Sequence, residues 1–186
     1  MFCPIHLFRR PFSVRQLAGQ LSPLAFCAKL AIVRTVVDVA FAGGHWLIHR
    51  PALWSSIVSH RYHHEHKHPS TLTNQHFSVI DLFVEAYLPA IVGMLVLELP
   101  LGIRVGALER VLLPTYIGWQ EQCSHSGKPV PFSTMLAPLA PVYNSALGCQ
   151  WDRRNVEFHQ VHHERMRCNY SITQWLDNLL GTTRWY

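Results

Sequence analysis

Histidine is the residue type through which this chain could do chemistry. There are thirteen in 186 residues, and all except His6 lie between His45 and His163. They are grouped. His45 and His49 form an H-x3-H pair in HWLIH, and His60, His63 and His64 form an H-x2-H-H triplet in HRYHH. A second H-x2-H-H triplet, His159, His162 and His163, stands in HQVHH, and His125 stands alone in CSHSG. Residues three and four apart share a helix face, so each group is expected to converge its ring nitrogens on one point. Imidazole suits iron, copper, zinc and nickel. Eight histidines in three groups exceed what one ion coordinates, so two metal ions are the economical reading. Taken singly, His6 and His76 read as ordinary surface or core side chains, and His66 and His68 as solvent-facing or behind the ligands.

Two familiar metal chemistries fit poorly. Structural zinc sites close with four ligands and commonly use cysteine. Here Cys3, Cys27, Cys123, Cys149 and Cys168 are scattered, without a C-x2-C pair. Soluble di-iron bundles repeat an E-x2-H motif, and Glu65 with His68 is a single instance. A nitrogen-rich site on apolar helices is a different chemical type.

The elements that carry these residues are apolar. Hydrophobic residues are 49% and charged residues 15%, against about a quarter charged in an ordinary soluble domain. That deficit points to a membrane. The net charge of +5 comes without basic patches interleaved with aromatics, so nucleic acid is set aside. Odd, scattered cysteines read as reduced thiols in or facing a reducing compartment. Residues 1–20 carry basic residues but no clean apolar stretch with a cleavage site, and read as an arm rather than a secretory signal.

Residues 21–47 are mostly apolar and exceed the roughly 20 needed to span a bilayer, though Lys29, Arg34 and Asp38 interrupt them. Asp38, His45 and His49 fall on roughly one stripe of that helix. A second apolar segment, 79–101, holds Asp81, Glu85 and Glu98, with Pro89 expected to kink it. A third, 101–119, carries Arg104, Glu109 and Arg110, and could form a hairpin with the second. Residues 125–150 read as a Gly/Pro-rich loop, 151–166 as a polar helix, and ITQWLDNLLGT as a short amphipathic helix stopped by Gly181. The expected fold is therefore all-α. It is an integral membrane protein of about three apolar helical segments under a histidine-box cap, with 21–186 as one domain.

Taken in order, these pieces resemble the fatty acid hydroxylase superfamily, also called the sterol desaturase family. They are Asp38, HWLIH, Leu53 with Trp54, HRYHH followed by Pro69, HSG, HQVHH, and NYSITQWLDNLLGT with its Trp175 and Asp177. The match covers residues 38–182. The resemblance implies a helical membrane enzyme of the endoplasmic reticulum, its histidine boxes facing the cytosol. It implies two irons, for which zinc can substitute, and molecular oxygen as oxidant. Electrons would come from NAD(P)H through cytochrome b5 or a similar carrier. The reaction would be hydroxylation, stepwise methyl oxidation or desaturation of a lipid, sterol or fatty-acyl in type. HSG followed by a proline-containing stretch looks most like the C-4 methylsterol oxidases.

The ligands this implies are His45, His49, His60, His63, His64, His125, His159, His162 and His163. His76 joins them because the family often has a histidine and a carboxylate after the second box. Counted from His60 that place falls near Ser78 and Asp81, and His76 is the available histidine. Asp38, Glu121, Glu157 and Asp177 are the carboxylates that could fix histidine tautomers from behind. Glu121 stands where some relatives carry another residue type, which can be a ligand. Asn169 and Tyr170 would order the segment after the last box, and residues 79–119 would line the substrate cavity. The family usually has more membrane-spanning chain before the first box than the 44 residues here. Two other readings remain: a catalytically inactive structural homologue, against which the complete boxes argue, and a membrane zinc-binding or transport protein.

Overall fold

In the computed structural model, which describes residues 21–54, 58–130 and 151–186, all regular structure is helical. The expected arm 1–20 and residues 131–150 of the expected loop lie outside the described residues. Helix α1 (Pro23–Ile48) begins at Ser22, whose hydroxyl accepts the Ala25 N–H at 3.5 Å, with Pro23 opening the first turn. Its buried stripe runs Leu30, Val33, Val37, Phe41, His45, Ile48 at helical spacing. The lower half of that stripe is apolar, and the upper half becomes polar with Asp38 and His45. One further turn, α2 (Pro51–Trp54), follows.

Helix α3 (Val79–Glu98) is capped by Ser78, whose Oγ accepts the Asp81 N–H at 3.1 Å. Its π turn, Phe83–Tyr87, has a local cause. Pro89 has no N–H to give the Glu85 carbonyl four residues back, and its ring crowds that carbonyl. The π turn lies over that carbonyl, where a kink was expected. Farther along, α3 lies close on α1. A Cβ on Gly93 would stand 3.0 Å from both Val33 Cγ1 and Val37 Cγ2, so only glycine permits this approach. The opposite face exposes Phe83, Tyr87, Ile91, Leu95 and Leu99.

Helix α4 (Ala107–Ser124) starts where Glu109 accepts the Gly106 N–H at 2.8 Å. Lys29 of α1 donates to Glu109 Oε2 at 2.6 Å and to the Arg104 carbonyl at 2.8 Å, which tethers α4 to α1. Leu30, Val33, Val37, Leu97, Val105 and Leu113 form the core beneath these contacts. Helices α5 (Trp151–Arg165) and α6 (Gln174–Leu180) follow. Gly181 ends α6 in the left-handed conformation (φ 71°), as its position predicts. Of the three apolar segments expected, only α3 is long and apolar enough by length and composition to cross a membrane, among the described residues. Cys27 and Cys168 are free thiols.

Candidate metal centre

The histidines gather into two groups. His45, His49, His60, His64 and His162 form one, and His63, His125, His159 and His163 the other. Within each group the ligand atoms lie within 4.8 Å of one another. The expectation that each box converges on one point is corrected here, because both triplets are divided. His60 and His64 go to the first group and His63 to the second. The last box reverses the pattern, with His159 and His163 in the second group and His162 in the first. Residues i and i+4 share a site, and i+3 points to the neighbouring one. The second box does this on a 3₁₀ helix, His60–Glu65, not on an α-helix.

The donor atoms suit a cation. In the first group His45 Nε2 lies 3.2 Å from His49 Nε2, and His162 Nε2 lies 3.1 Å from His64 Nε2. In the second group His125 Nε2 is 3.2 Å from His63 Nε2 and 2.8 Å from His159 Nε2, and His163 Nε2 is 3.1 Å from His159 Nε2. The opposite nitrogens of several rings are committed. His45 Nδ1 donates to the Tyr170 carbonyl at 2.8 Å, His162 Nδ1 to the Cys168 carbonyl at 2.7 Å, and His125 Nδ1 to the Glu121 carbonyl at 2.9 Å. Those bonds set the tautomer, leaving bare Nε2 lone pairs aimed at one another. Every member except the half-buried His49 is buried. Burial pushes His162 and His125 down to about 4, each partly offset by its carbonyl, and holds His63, His64 and His159 well below the ordinary range. Neutral imidazoles whose lone pairs converge are the form that coordinates a metal.

The carboxylates expected behind these rings are placed in different ways. Among the described residues, the hydrogen bonds of Asp38 go to the loop after the last box and not to a histidine. Asp38 accepts the Ile172 N–H at 2.8 Å, the Thr173 N–H at 3.1 Å and the Thr173 hydroxyl. Asp177 accepts the Tyr170 N–H at 2.9 Å, the Ser171 N–H at 2.7 Å and the Ser171 hydroxyl. Both therefore hold the loop whose Cys168 and Tyr170 carbonyls orient His162 and His45. Asn169, in the left-handed region at φ 56°, completes that loop by donating to Phe158 O at 2.8 Å and Arg184 O at 2.9 Å. Glu121 Oε1 is 3.3 Å from His125 Nδ1, on the back of the ring. Glu157 lines a surface depression with Arg154, Trp185 and Tyr186, away from the histidines.

His76 is a correction. It belongs to neither group; its half-exposed ring lies 3.6 Å from Glu65 and stacks on Tyr62. The turn Thr73–Gln75 ahead of it directs it outward. Two buried carboxylates stand at and just beyond the place counted for it. Asp81 Oδ1 and Oδ2 lie 3.0 and 3.1 Å from His60 Nδ1. Glu85 Oε1 lies 3.5 Å from both His60 Nδ1 and His45 Nε2. In the sequence Asp81 falls near the family's carboxylate place, and Glu85 was assigned no role. The available signal was two acids four apart inside an apolar segment, where charge is costly and generally functional.

Beside the centre is a cavity of about 270 Å³. Val37 and Phe41 of α1, Phe77, Ala90 of α3, and Pro114 and Ile117 of α4 supply apolar walls, and Glu85 and Glu121 also line it. The wall thus includes α1 and Phe77 in addition to the expected 79–119. Phe77 also stacks on His63, with ring centroids 4.3 Å apart.

A family model for the fatty acid hydroxylase domain matches residues 30–182. The chain is 30% identical over 157 residues to fatty acid hydroxylase domain-containing protein 2 of Macaca fascicularis, covering 84% of this chain and 39% of that protein. It is 29% identical over 157 residues to the human protein of that name, with the same shares, 84% and 39%. It is 28% identical over 184 residues to cholesterol 25-hydroxylase of Rattus norvegicus, covering 97% of this chain and 54% of that protein. The chain spans about half or less of the length of these curated relatives. No solved structure matches it significantly.

Proposed function

The chain belongs to the fatty acid hydroxylase family, and on that premise we propose that it is a membrane-bound, oxygen-dependent lipid oxidoreductase with a di-iron centre. The observation that carries the proposal is the convergence of nine largely buried histidines on two adjacent points. The first ion would be held among His45, His49, His60, His64 and His162, and the second among His63, His125, His159 and His163. Bound there, a pair of irons supplies the oxidising power to attack an unactivated C–H bond with molecular oxygen; zinc can take the same places without that reactivity. The electrons would come from NAD(P)H through a cytochrome b5-type carrier. Endoplasmic reticulum is the proposed location, with the boxes on the cytosolic side.

The chain's own residues do the rest. The Cys168 and Tyr170 carbonyls hold the imidazole tautomers on one side, and Asp81 holds His60 on the other. The cavity would seat an apolar chain or ring system against the centre, a substrate of sterol or fatty-acyl type, with little water. Helix α3 offers its exposed apolar face to lipid.

The test is metal content and turnover of detergent-purified wild type beside a His162→Ala, His163→Ala double variant. About two irons per chain, lost in the variant, with oxygen-dependent lipid oxidation, is the expected result. Tight zinc with no turnover after iron reconstitution would favour the zinc-binding reading. A folded, metal-free wild type would favour a structural homologue.

A further inference from the structure

We propose that Glu85 is an oxygen ligand of the first metal site, so that the two sites differ in kind. The first would combine imidazole with one carboxylate, and the second would be imidazole alone. The inference rests on the di-metal reading above and deepens it.

Three observations converge on Glu85. It is 8% exposed, and its Oε1 has no hydrogen-bond partner. The nearest ring N–H is already taken, because His60 Nδ1 faces both oxygens of Asp81 at 3.0 and 3.1 Å. No lysine or arginine pairs with Glu85 among the described residues; the carboxylates of Asp81 and Glu121 are its charged neighbours. An unpaired carboxylate is costly to bury, and it persists where a cation meets it. The place for that cation is close by. Glu85 Oε1 lies 3.5 Å from His45 Nε2, the nitrogen that converges with His49 Nε2 at 3.2 Å.

The backbone supports the assignment. Glu85 sits inside the π turn, Phe83–Tyr87, ahead of Pro89, and such single-turn bulges occur often at functional sites. Asp81 and Glu85, four apart, are both buried toward His60. Their tasks differ. Asp81 acts through His60, fixing its ring, and is a positioning residue. Glu85 has no donor left to bind and presents its own oxygen. Glu121 is a useful contrast, since its oxygen meets His125 on Nδ1, the face turned away from the second group.

The test uses the full chain in detergent, loaded anaerobically with iron-57. Iron content and Mössbauer spectra would be recorded for wild type, Glu85→Gln, Asp81→Asn, and Glu85→Ala with and without formate. Wild type should show two inequivalent doublets of equal area. Glu85→Gln should change one doublet only and weaken that iron against a chelator by more than the roughly 10–100-fold typical of outer partners. Formate, a carboxylate small enough for the space left by Glu85→Ala, should restore the altered doublet. Asp81→Asn should leave both doublets present. Two irons with the wild-type spectrum in both Glu85 variants would overturn this proposal and leave the di-metal reading intact. A single doublet in wild type would overturn it whether or not the variants fold. A folded wild type that binds no iron would overturn both readings.

Discussion

The two histidine groups are alike at their centres and unlike at their backs. The first is braced on two sides. His162 and His45 lean on the Cys168 and Tyr170 carbonyls, and His60 leans on Asp81. The second is braced mainly at His125, by the Glu121 carbonyl and carboxylate and the Ser124 hydroxyl at 3.2 Å. Among the described residues His63 Nδ1 has no hydrogen-bond partner in the second group, and neither has His64 Nδ1 in the first. The difference shows where the C-terminal segment matters. Residues 168–182 donate no ligand, yet they form the back wall of the first site and not of the second. Asp38, far away in sequence, and Asp177 hold that wall in place.

This asymmetry can be broken by experiment. The largest effect should come from removing a ligand. His162→Ala should empty the first site and His125→Ala the second, each lowering metal content by about half and abolishing turnover. Equal loss of both ions from either variant would show the sites to be one cooperative unit. Next in size is the back wall. Asp177→Asn and Asp38→Asn should each weaken the first ion by roughly 10–100-fold, with the second ion retained, when release to a chelator is followed. Loss of the second ion first would contradict the division drawn here. Glu121→Gln should do the reverse and by less, about tenfold at the second site, because the Glu121 carbonyl still holds His125.

The smallest effect is one the sites share. His162 and His125 sit at about 4, below their ordinary 6.5. In that interval the unfolded chain binds protons that the fold refuses. The metal-free protein should therefore hold its full stability above about pH 6.5 and lose it as the pH falls toward about 4. Urea unfolding of metal-free protein at about pH 7 and about pH 5 reads this directly. A flat profile would mean that these imidazoles are not buried neutral.

Much of the centre was legible from local spacing. H-x3-H and H-x2-H-H are short-range patterns, and the eight histidines they marked are gathered here, joined by the lone His125. The short helix stopped by Gly181 was legible for the same reason, since a left-handed residue after an amphipathic turn ends a helix. His76 misled because position along the chain was used in place of direction. The turn before it points it at Glu65, while Asp81 reaches His60 from the first turn of α3. Asp38 was placed on the correct stripe but with the wrong partners. It binds Ile172 and Thr173, 134 and 135 positions away, which no helical period can reveal.

The amino-acid sequence by itself determined that this is a helical protein, which histidines are candidate ligands, and that there are enough of them to serve two ions. Those facts rest on residue chemistry and on a helical repeat that acts within a few residues. Only the tertiary structure decided how each triplet is divided between the two groups, which carbonyls and carboxylates orient particular rings, and that Glu85 is left buried without a donor. Those facts depend on helices packing across the chain, where Gly93 lets α3 close on α1 and Lys29 ties α4 beside them.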